Sequence, residues 1–122
     1  MSDFLPLYFP GDKLPVVTSA AVTAGQVLVV SGSNTVAAST AAAIPIGIAT
    51  SDDLVGGNQI VALCAGVAVL GATGSIAAGD AVVPATAGTV ATIGADTNYL
   101  HVVGVATAAT ANGKVTVKLR LG

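Results

Sequence analysis

An approximate internal repeat is the feature that most constrains how this 122-residue chain can fold. The segment "TAGQVLVV" at residues 23–30 matches "AAGDAVVP" at residues 77–84 at an offset of 54. Further on, "IGIAT" at residues 46–50 meets "VGVAT" at residues 103–107 at an offset of 57. Short apolar segments repeated once in this way predict two similar halves that share one fold.

The matches continue in the same order to the end of the chain. "QIVAL" at residues 59–63 pairs with "KVTVK" at residues 114–118 at an offset of 55. Each half then holds three or four short strands, which favours a compact barrel or sandwich with approximate two-fold symmetry. We therefore predict one β domain over residues 20–122, made of two halves at residues 20–73 and 74–122.

Residue choice within the repeat favours strands over helices. In the last segment, "KVTVKLRL", apolar residues alternate with polar ones, as expected of a strand with one buried face. The chain contains 24 Ala, 19 Val and 13 Thr but no Glu, and Val and Thr are common in strands. The predicted fold class is all-β.

The first nineteen residues have no counterpart in the repeat, and the sequence predicts an extended N-terminal arm there. Three of the four aromatic residues fall within the first nine positions, and three of the five prolines within the first fifteen. Proline disfavours helix at and before its position. Two interpretations stay open: a strap folded over the domain's own core, or an arm that docks on another protein. The predicted contact residues are Phe4, Leu5, Pro6, Leu7, Tyr8, Phe9 and Pro10.

Charge and hydropathy exclude two classes of partner. The net charge is −2 and the sequence pI about 4.7, so the basic surface of a nucleic-acid-binding protein is not expected. Residues 58–79 carry no charge and are long enough to span a bilayer, but four glycines divide them into pieces of strand length. We expect no membrane contact. Lys118 and Arg120 share the polar face of the last strand, where they either face solvent or contact an acidic neighbouring subunit.

Residues that could support catalysis or bind a metal are few and scattered. Cys64 is the single cysteine, which excludes an intrachain disulfide, and His101 is the single histidine. Asp52 and Asp53 are adjacent, and they sit, like Asp80, beside turn-forming residues. We predict no catalytic, metal or cofactor site and no enzymatic activity.

Several segments together resemble a known family. "LPLYFPGD", "AAVTAGQVLVVSG", "AAIPIGIAT", "SIAAGDAVV" and "VVGVAT" are similar to the small capsid cement, or head decoration, proteins of tailed bacteriophages. The resemblance implies a β-rich, generally trimeric protein on the outer surface of the head at three-fold positions, where it bridges major capsid protein subunits and stabilises the shell. It also implies assembly in the host cytoplasm. The arm would then be the capsid contact.

Two other classes of function are compatible with the composition. An Ala/Thr/Gly-rich structural or adhesive surface protein would require short, regular coils, and this chain shows one duplication instead. A small carbohydrate-binding module would need a platform of aromatic side chains, and Tyr99 is the one aromatic residue beyond the arm.

Overall fold

The computed structural model describes residues 13–121, and within them nearly all regular structure is β. Two short 3₁₀ turns, Thr86–Gly88 and Tyr99–His101, interrupt the strands. The all-β class predicted from the sequence is confirmed. The strands of the described residues are β1 (Lys13–Thr18), β2 (Val27–Gly32), β3 (Thr35–Ala38), β4 (Pro45–Ala49), β5 (Gln59–Leu63), β6 (Val67–Gly71), β7 (Ala81–Pro84), β8 (Val90–Thr92), β9 (Gly104–Ala106) and β10 (Lys114–Leu119).

Strands β1 to β5 form a closed barrel, which is called the first sheet below. The strand order is β1-β3-β2-β4-β5. Strand β1 lies antiparallel to β5, with Lys13 opposite Leu63. It lies parallel to β3, with Val17 opposite Thr35, and this parallel contact closes the barrel.

Strands β6 to β10 form the second sheet, in the order β6-β10-β9-β7-β8. Replacing each strand of the first sheet by the strand five places later gives β6-β8-β7-β9-β10, which has the same neighbouring strands read in the opposite direction, provided that β6 and β8 count as neighbours. Its two end strands, β6 and β8, meet through one parallel bridge between Ala72 and Val90. Both sheets contain hairpins and long-range strand pairings. The short, regular coils that an Ala/Thr/Gly-rich structural or adhesive surface protein would require do not describe this fold.

The pairing registers of the two sheets are related by the offsets that relate the sequences. Val27 of β2 lies opposite Ile48 of β4, and Ala81 of β7 lies opposite Val105 of β9. The first members differ by 54 positions and the second members by 57. The β1–β5 and β6–β10 registers are related in the same way by offsets of 54 and 55.

Strand β1 corrects the expected limit of the N-terminal arm. The sequence placed residues 1–19 outside the repeat, but Lys13–Thr18 belongs to the first sheet, and β6 is its counterpart. "KLPVVT" and the equivalent "VAVLGA" share no identical position, so matching residues cannot reveal the relation. What they share is burial at inward positions, since Val16 is 7% exposed and Leu70 is 1% exposed.

In the sequence, Pro15 favoured an extended arm over a strand. It is compatible with β1 because its nitrogen lies on the side of the strand that faces away from β5. The Thr18 backbone N–H donates to the Asn58 carbonyl oxygen, 3.1 Å away. Alternate residues of an antiparallel pair face the same neighbour. The even-numbered residues of β1 therefore face β5, and Pro15, which has no N–H to donate, faces away from that ladder.

Two clusters of apolar side chains form the core. One lies within the first sheet and contains Val16, Val22, Leu28, Val36, Ala49, Ile60 and Ala62. The other contains side chains of the second sheet together with Val27 and Ile48 of the first. The first sheet thus contributes to the core of the second, and burial of large apolar side chains links the halves.

Hydrogen bonds reinforce the contact between the halves. The fully buried Ser39 donates from its hydroxyl to the Ala85 carbonyl oxygen at 2.8 Å, and its backbone carbonyl oxygen accepts the Gly88 N–H at 2.9 Å. Gln26 donates from Nε2 to the Ala87 carbonyl oxygen at 3.0 Å. The turn between β7 and β8 is therefore fixed against the first sheet.

The uncharged segment at residues 58–79 supplies β5 and β6. Across residues 13–121 there is no helix with the length and apolar character required to cross a membrane.

Candidate functional site

The predicted arm contacts at residues 4–10 lie outside the described residues. The described chain begins on β1, beside an apolar groove of about 470 Å³. Leu14, Val17 and Val30 are among the side chains that line this groove. The first described residues of β1 therefore lie next to an apolar surface.

The other predicted contact residues lie on the exposed side of the second sheet. Lys118 is exposed on β10, between Val67 of β6 and Val105 of β9. Arg120 is also exposed and follows Lys118 at the spacing of residues on one strand face. The third cation of this segment, Lys114, is exposed at the start of β10.

The exposed face of β6 and β10 combines these cations with apolar side chains. Its members are Val67, Val69, Lys114, Thr116 and Lys118. The two valines are each 61% exposed. Among the described residues, the ion pair is between His101 and Asp96. None of the described aspartates therefore forms an ion pair with Lys114 or Lys118.

Asp53 organises the loop that follows β4. Its buried carboxylate accepts hydrogen bonds from the Thr18 hydroxyl at 2.5 Å and from the Val55 and Gly56 N–H groups at 3.2 and 2.9 Å. Asn58 donates to it from its backbone N–H at 3.2 Å and from Nδ2 at 3.0 Å. These donors, the Thr18 hydroxyl first, hold the pKa of Asp53 well below its usual range, against the opposing effect of burial.

The loop ordered by Asp53 presents two apolar side chains to solvent, since Leu54 is 80% exposed and Val55 is 82% exposed. In the second half the equivalent position is Thr110, 57 residues later. Its hydroxyl accepts the Ile76 N–H at 3.2 Å. The repeat therefore keeps a polar side chain at this position, but only the first half uses a carboxylate.

The glycine turns before β2 and β7 are structural devices, as the sequence predicts. Gly25 and Gly79 have φ angles of +90° and +89°, which residues with a Cβ rarely adopt. The next residue in each turn, Gln26 or Asp80, accepts a backbone N–H from three positions earlier, at 2.8 and 3.0 Å.

His101 and Asp96 form an ion pair in the segment between β8 and β9. Nδ1 of His101 lies 2.7 Å from Oδ2 of Asp96. The His101 hydrogen bond, followed by the N–H of Asn98, lowers the pKa of Asp96. The offset between the halves rises from 54 before this segment to 57 after it, so the segment contains three extra residues. The position equivalent to His101 is Ile44, so the pair has no equivalent in the first half.

The remaining candidates for chemistry are also engaged in local structure. Asp52 accepts the Ala24 N–H at 2.7 Å, as expected for a turn residue. Cys64 is buried and its Sγ lies 3.4 Å from the Ile46 carbonyl oxygen. Among residues 13–121 no three histidine, cysteine or aspartate side chains come together as a metal site requires.

Comparison with known proteins gives a family and a fold. The sequence model of the phage cement protein family matches residues 10–121. The structure is similar to the crystal structure of the head fiber gp8.5 N base in bacteriophage phi29, with a TM-score of 0.71 and 19% sequence identity. The alignment covers 90% of this chain and 94% of the other. Among curated proteins, no sequence matches this chain.

Proposed function

Because the chain belongs to the phage cement protein family, whose members are structural proteins, we propose that it binds the outer surface of the head and bridges major capsid protein subunits. The observation that carries this proposal is the family match over residues 10–121, which spans both sheets. A protein that binds the assembled shell but not its separate subunits stabilises the shell by mass action.

The N-terminal segment is the proposed capsid contact. Its residues Phe4, Leu5, Leu7, Tyr8 and Phe9 are the anchors, and Pro6 and Pro10 reduce the conformational entropy lost on docking. Three aromatic side chains burying roughly 150–250 Å² each contribute roughly 10–20 kcal/mol gross at about 25 cal/mol per Å². Ordering about a dozen residues costs a similar amount, at about 1–2 kcal/mol each.

One arm therefore binds weakly, and several arms on one particle bind tightly through avidity. This favours a homotrimer at three-fold positions of the shell. Lys118 and Arg120, which are exposed and form no ion pair with the described aspartates, are the proposed contact with an acidic neighbouring subunit. The protein would be made in the host cytoplasm and located on the outer surface of the virion.

Substitution of the arm aromatics in the full-length chain tests this function. Replacing Phe4, Tyr8 and Phe9 by Ser should weaken binding to heads stripped of decoration by more than about 100-fold, because the three aromatics supply the roughly 10–20 kcal/mol of gross burial that offsets the ordering of the arm. Binding is measured by co-sedimentation, and the mass of the free protein by light scattering. A mass other than three chains would contradict the trimer.

Tyr99→Ser is the matched control, since Tyr99 is 76% exposed and lies outside the arm. It should bind heads like the unaltered chain. If the arm variant also decorates heads normally, the arm is not the capsid contact.

A further inference from the structure

Among residues 13–121, β6 pairs along its length with a strand on one side only, which is β10. The Leu119 N–H donates to the Gly66 carbonyl oxygen at 2.8 Å, just before β6 begins. In an antiparallel ladder alternate residues direct both backbone groups to the same neighbour. The even-numbered residues of β6 therefore face β10, and Val67 and Val69 direct their N–H and C=O groups away from it.

Within the described residues, little covers that side of β6. Strand β8 reaches it through the bridge between Ala72 and Val90, which lies beyond the last residue of β6. The side chains of Val67 and Val69 are themselves 61% exposed. Open backbone groups beside exposed apolar side chains form a template for another extended chain.

The equivalent edge of the first sheet is protected. Lys13 and Pro15 occupy the positions of Val67 and Val69, 54 residues earlier. Lysine and proline are the residues with which natural sheets prevent unwanted pairing, and Pro15 has no N–H to offer. The same structural position is thus blocked in one half of the molecule and open in the other.

Charge beside the open edge defines what can bind there. Lys118 lies directly opposite Val67 and Lys114 opposite Gly71, so both lysines emerge on the same face as the exposed valines. A strand added to β6 would lie about 10 Å from β10. The long lysine side chains can reach carboxylates on such a strand while their methylene groups cover the valines.

We infer that the β6 edge binds an extended, acidic segment of the shell protein, which adds a strand to the second sheet. This inference rests on the proposed function. Backbone hydrogen bonds to Val67 and Val69 supply the pairing, apolar side chains of the segment pack on the valines, and its carboxylates meet Lys114 and Lys118. The acidic subunit that Lys118 contacts is then a subunit of the shell and not a second copy of this chain. The contact is separate from the N-terminal arm, so that one copy binds the shell at two places.

This contact is tested by placing the lysine and proline of β1 at the equivalent positions of β6. The double variant Val67→Lys, Val69→Pro of the full-length chain copies residues that β1 already accommodates. We expect its binding to stripped heads to weaken at least tenfold, with an unchanged thermal unfolding curve. Val61→Lys is the control, because Val61 is 38% exposed on β5, a strand paired on both sides, and lies outside the groove beside β1. It should change binding less than twofold.

Two further measurements leave the backbone of β6 unaltered. The variant Lys114→Gln, Lys118→Gln should weaken binding about threefold to tenfold at low salt, and the difference should shrink as salt screens the charges. Amide exchange at Val67 and Val69 in the unaltered chain should slow at least tenfold when the protein binds heads. Equal exchange rates in the free and bound states would overturn the inference.

Other occupants of the edge give different results. Slow exchange at Val67 and Val69 in the free protein would show that the edge is already covered. If the double variant also loses self-association, a second copy covers it; if self-association is unchanged, the chain's own residues 1–12 do. Either result overturns the inference. Normal head binding by the double variant does so too, whereas failure of the unaltered chain to bind heads overturns the proposed function itself.

Discussion

The two sheets share a strand order but differ in how they close. In the first sheet β1 pairs with both β5 and β3, whereas in the second β6 pairs with β10 and touches β8 at a single bridge. The loops after β4 and β9 differ as well, since a carboxylate organises the first and a hydroxyl the second. The difference shows that a duplicated unit retains its topology while its edges and loops diverge.

Removal of β1 should give the largest effect, because it opens the sheet that is closed. A chain starting at Ala20 loses the buried side chain of Val16 and the hydroxyl that Thr18 donates to Asp53. We expect its free energy of unfolding in urea to fall by more than about 5 kcal/mol, a loss on the scale of a whole domain's stability. A chain starting at Lys13 keeps every described strand and serves as the control.

Equal urea midpoints for these two chains would show that β1 does not contribute to the first sheet's stability. Both sheets would then behave as sheets with open edges, and closure of the first sheet would not add to its stability.

Equivalent glycines give the next largest effect. At Gly104 of β9 an added Cβ would overlap the carbonyl oxygen of Lys118, whereas at Gly47 of β4 it would meet the Ala62 methyl group at 2.7 Å. The Ala62 methyl group moves only with its own backbone, so a strand must shift in both variants, but it shifts less at Gly47, where the overlap is smaller. Gly104→Ala should therefore cost about 2–3 kcal/mol and Gly47→Ala about 1 kcal/mol in unfolding free energy.

Urea unfolding of both variants under the same conditions measures this difference. A larger loss for Gly47→Ala would mean that β4, not β9, makes the closer approach to its neighbouring strand.

The loop carboxylate should give a smaller, pH-dependent effect. Because the pKa of Asp53 is depressed in the folded protein, its stabilisation is fully present above the unfolded pKa of about 3.9. It is lost as the pH falls through the lower folded value. Asp53→Asn should therefore unfold more easily than the unaltered chain at pH 6, and this difference should shrink progressively below about pH 4.

Thr110→Val is the control in the second sheet, where no ionisable group occupies the equivalent position. Its effect on the urea midpoint should not depend on pH between 3 and 7. A constant difference for Asp53→Asn across that range would exclude the carboxylate's charge as the source of the stabilisation.

Much of the fold could be predicted from the sequence because most strands keep matching residues between the halves. The offsets of 54, 55 and 57 relate the sequences and also the strand registers. Strand β1 escaped prediction because the core constrains the size and polarity of an inward side chain, not its identity. Val16 and Leu70 satisfy that constraint with different residues.

The candidate sites were less accessible to sequence reasoning. Lys118 and Arg120 stand out in the sequence because charged residues are rare in this chain. The strand pairing proposed for Val67 and Val69 depends instead on which side of β6 has no paired strand among the described residues. That is a property of the sheet. Comparison with Lys13 and Pro15 would reveal it in the sequence only once β1 is known to be the counterpart of β6.

The two-sided pairing of β1 has a mechanical consequence under the proposed anchoring through the N-terminal arm. Tension on the arm would enter the first sheet at Lys13 and act along β1. Strand β1 is held by β5 over five residue pairs and by β3 at two more. Load along the strand axis acts on these hydrogen bonds together, in shear, rather than peeling them apart singly. The closed barrel is thus the half suited to carry force between the arm and the rest of the molecule.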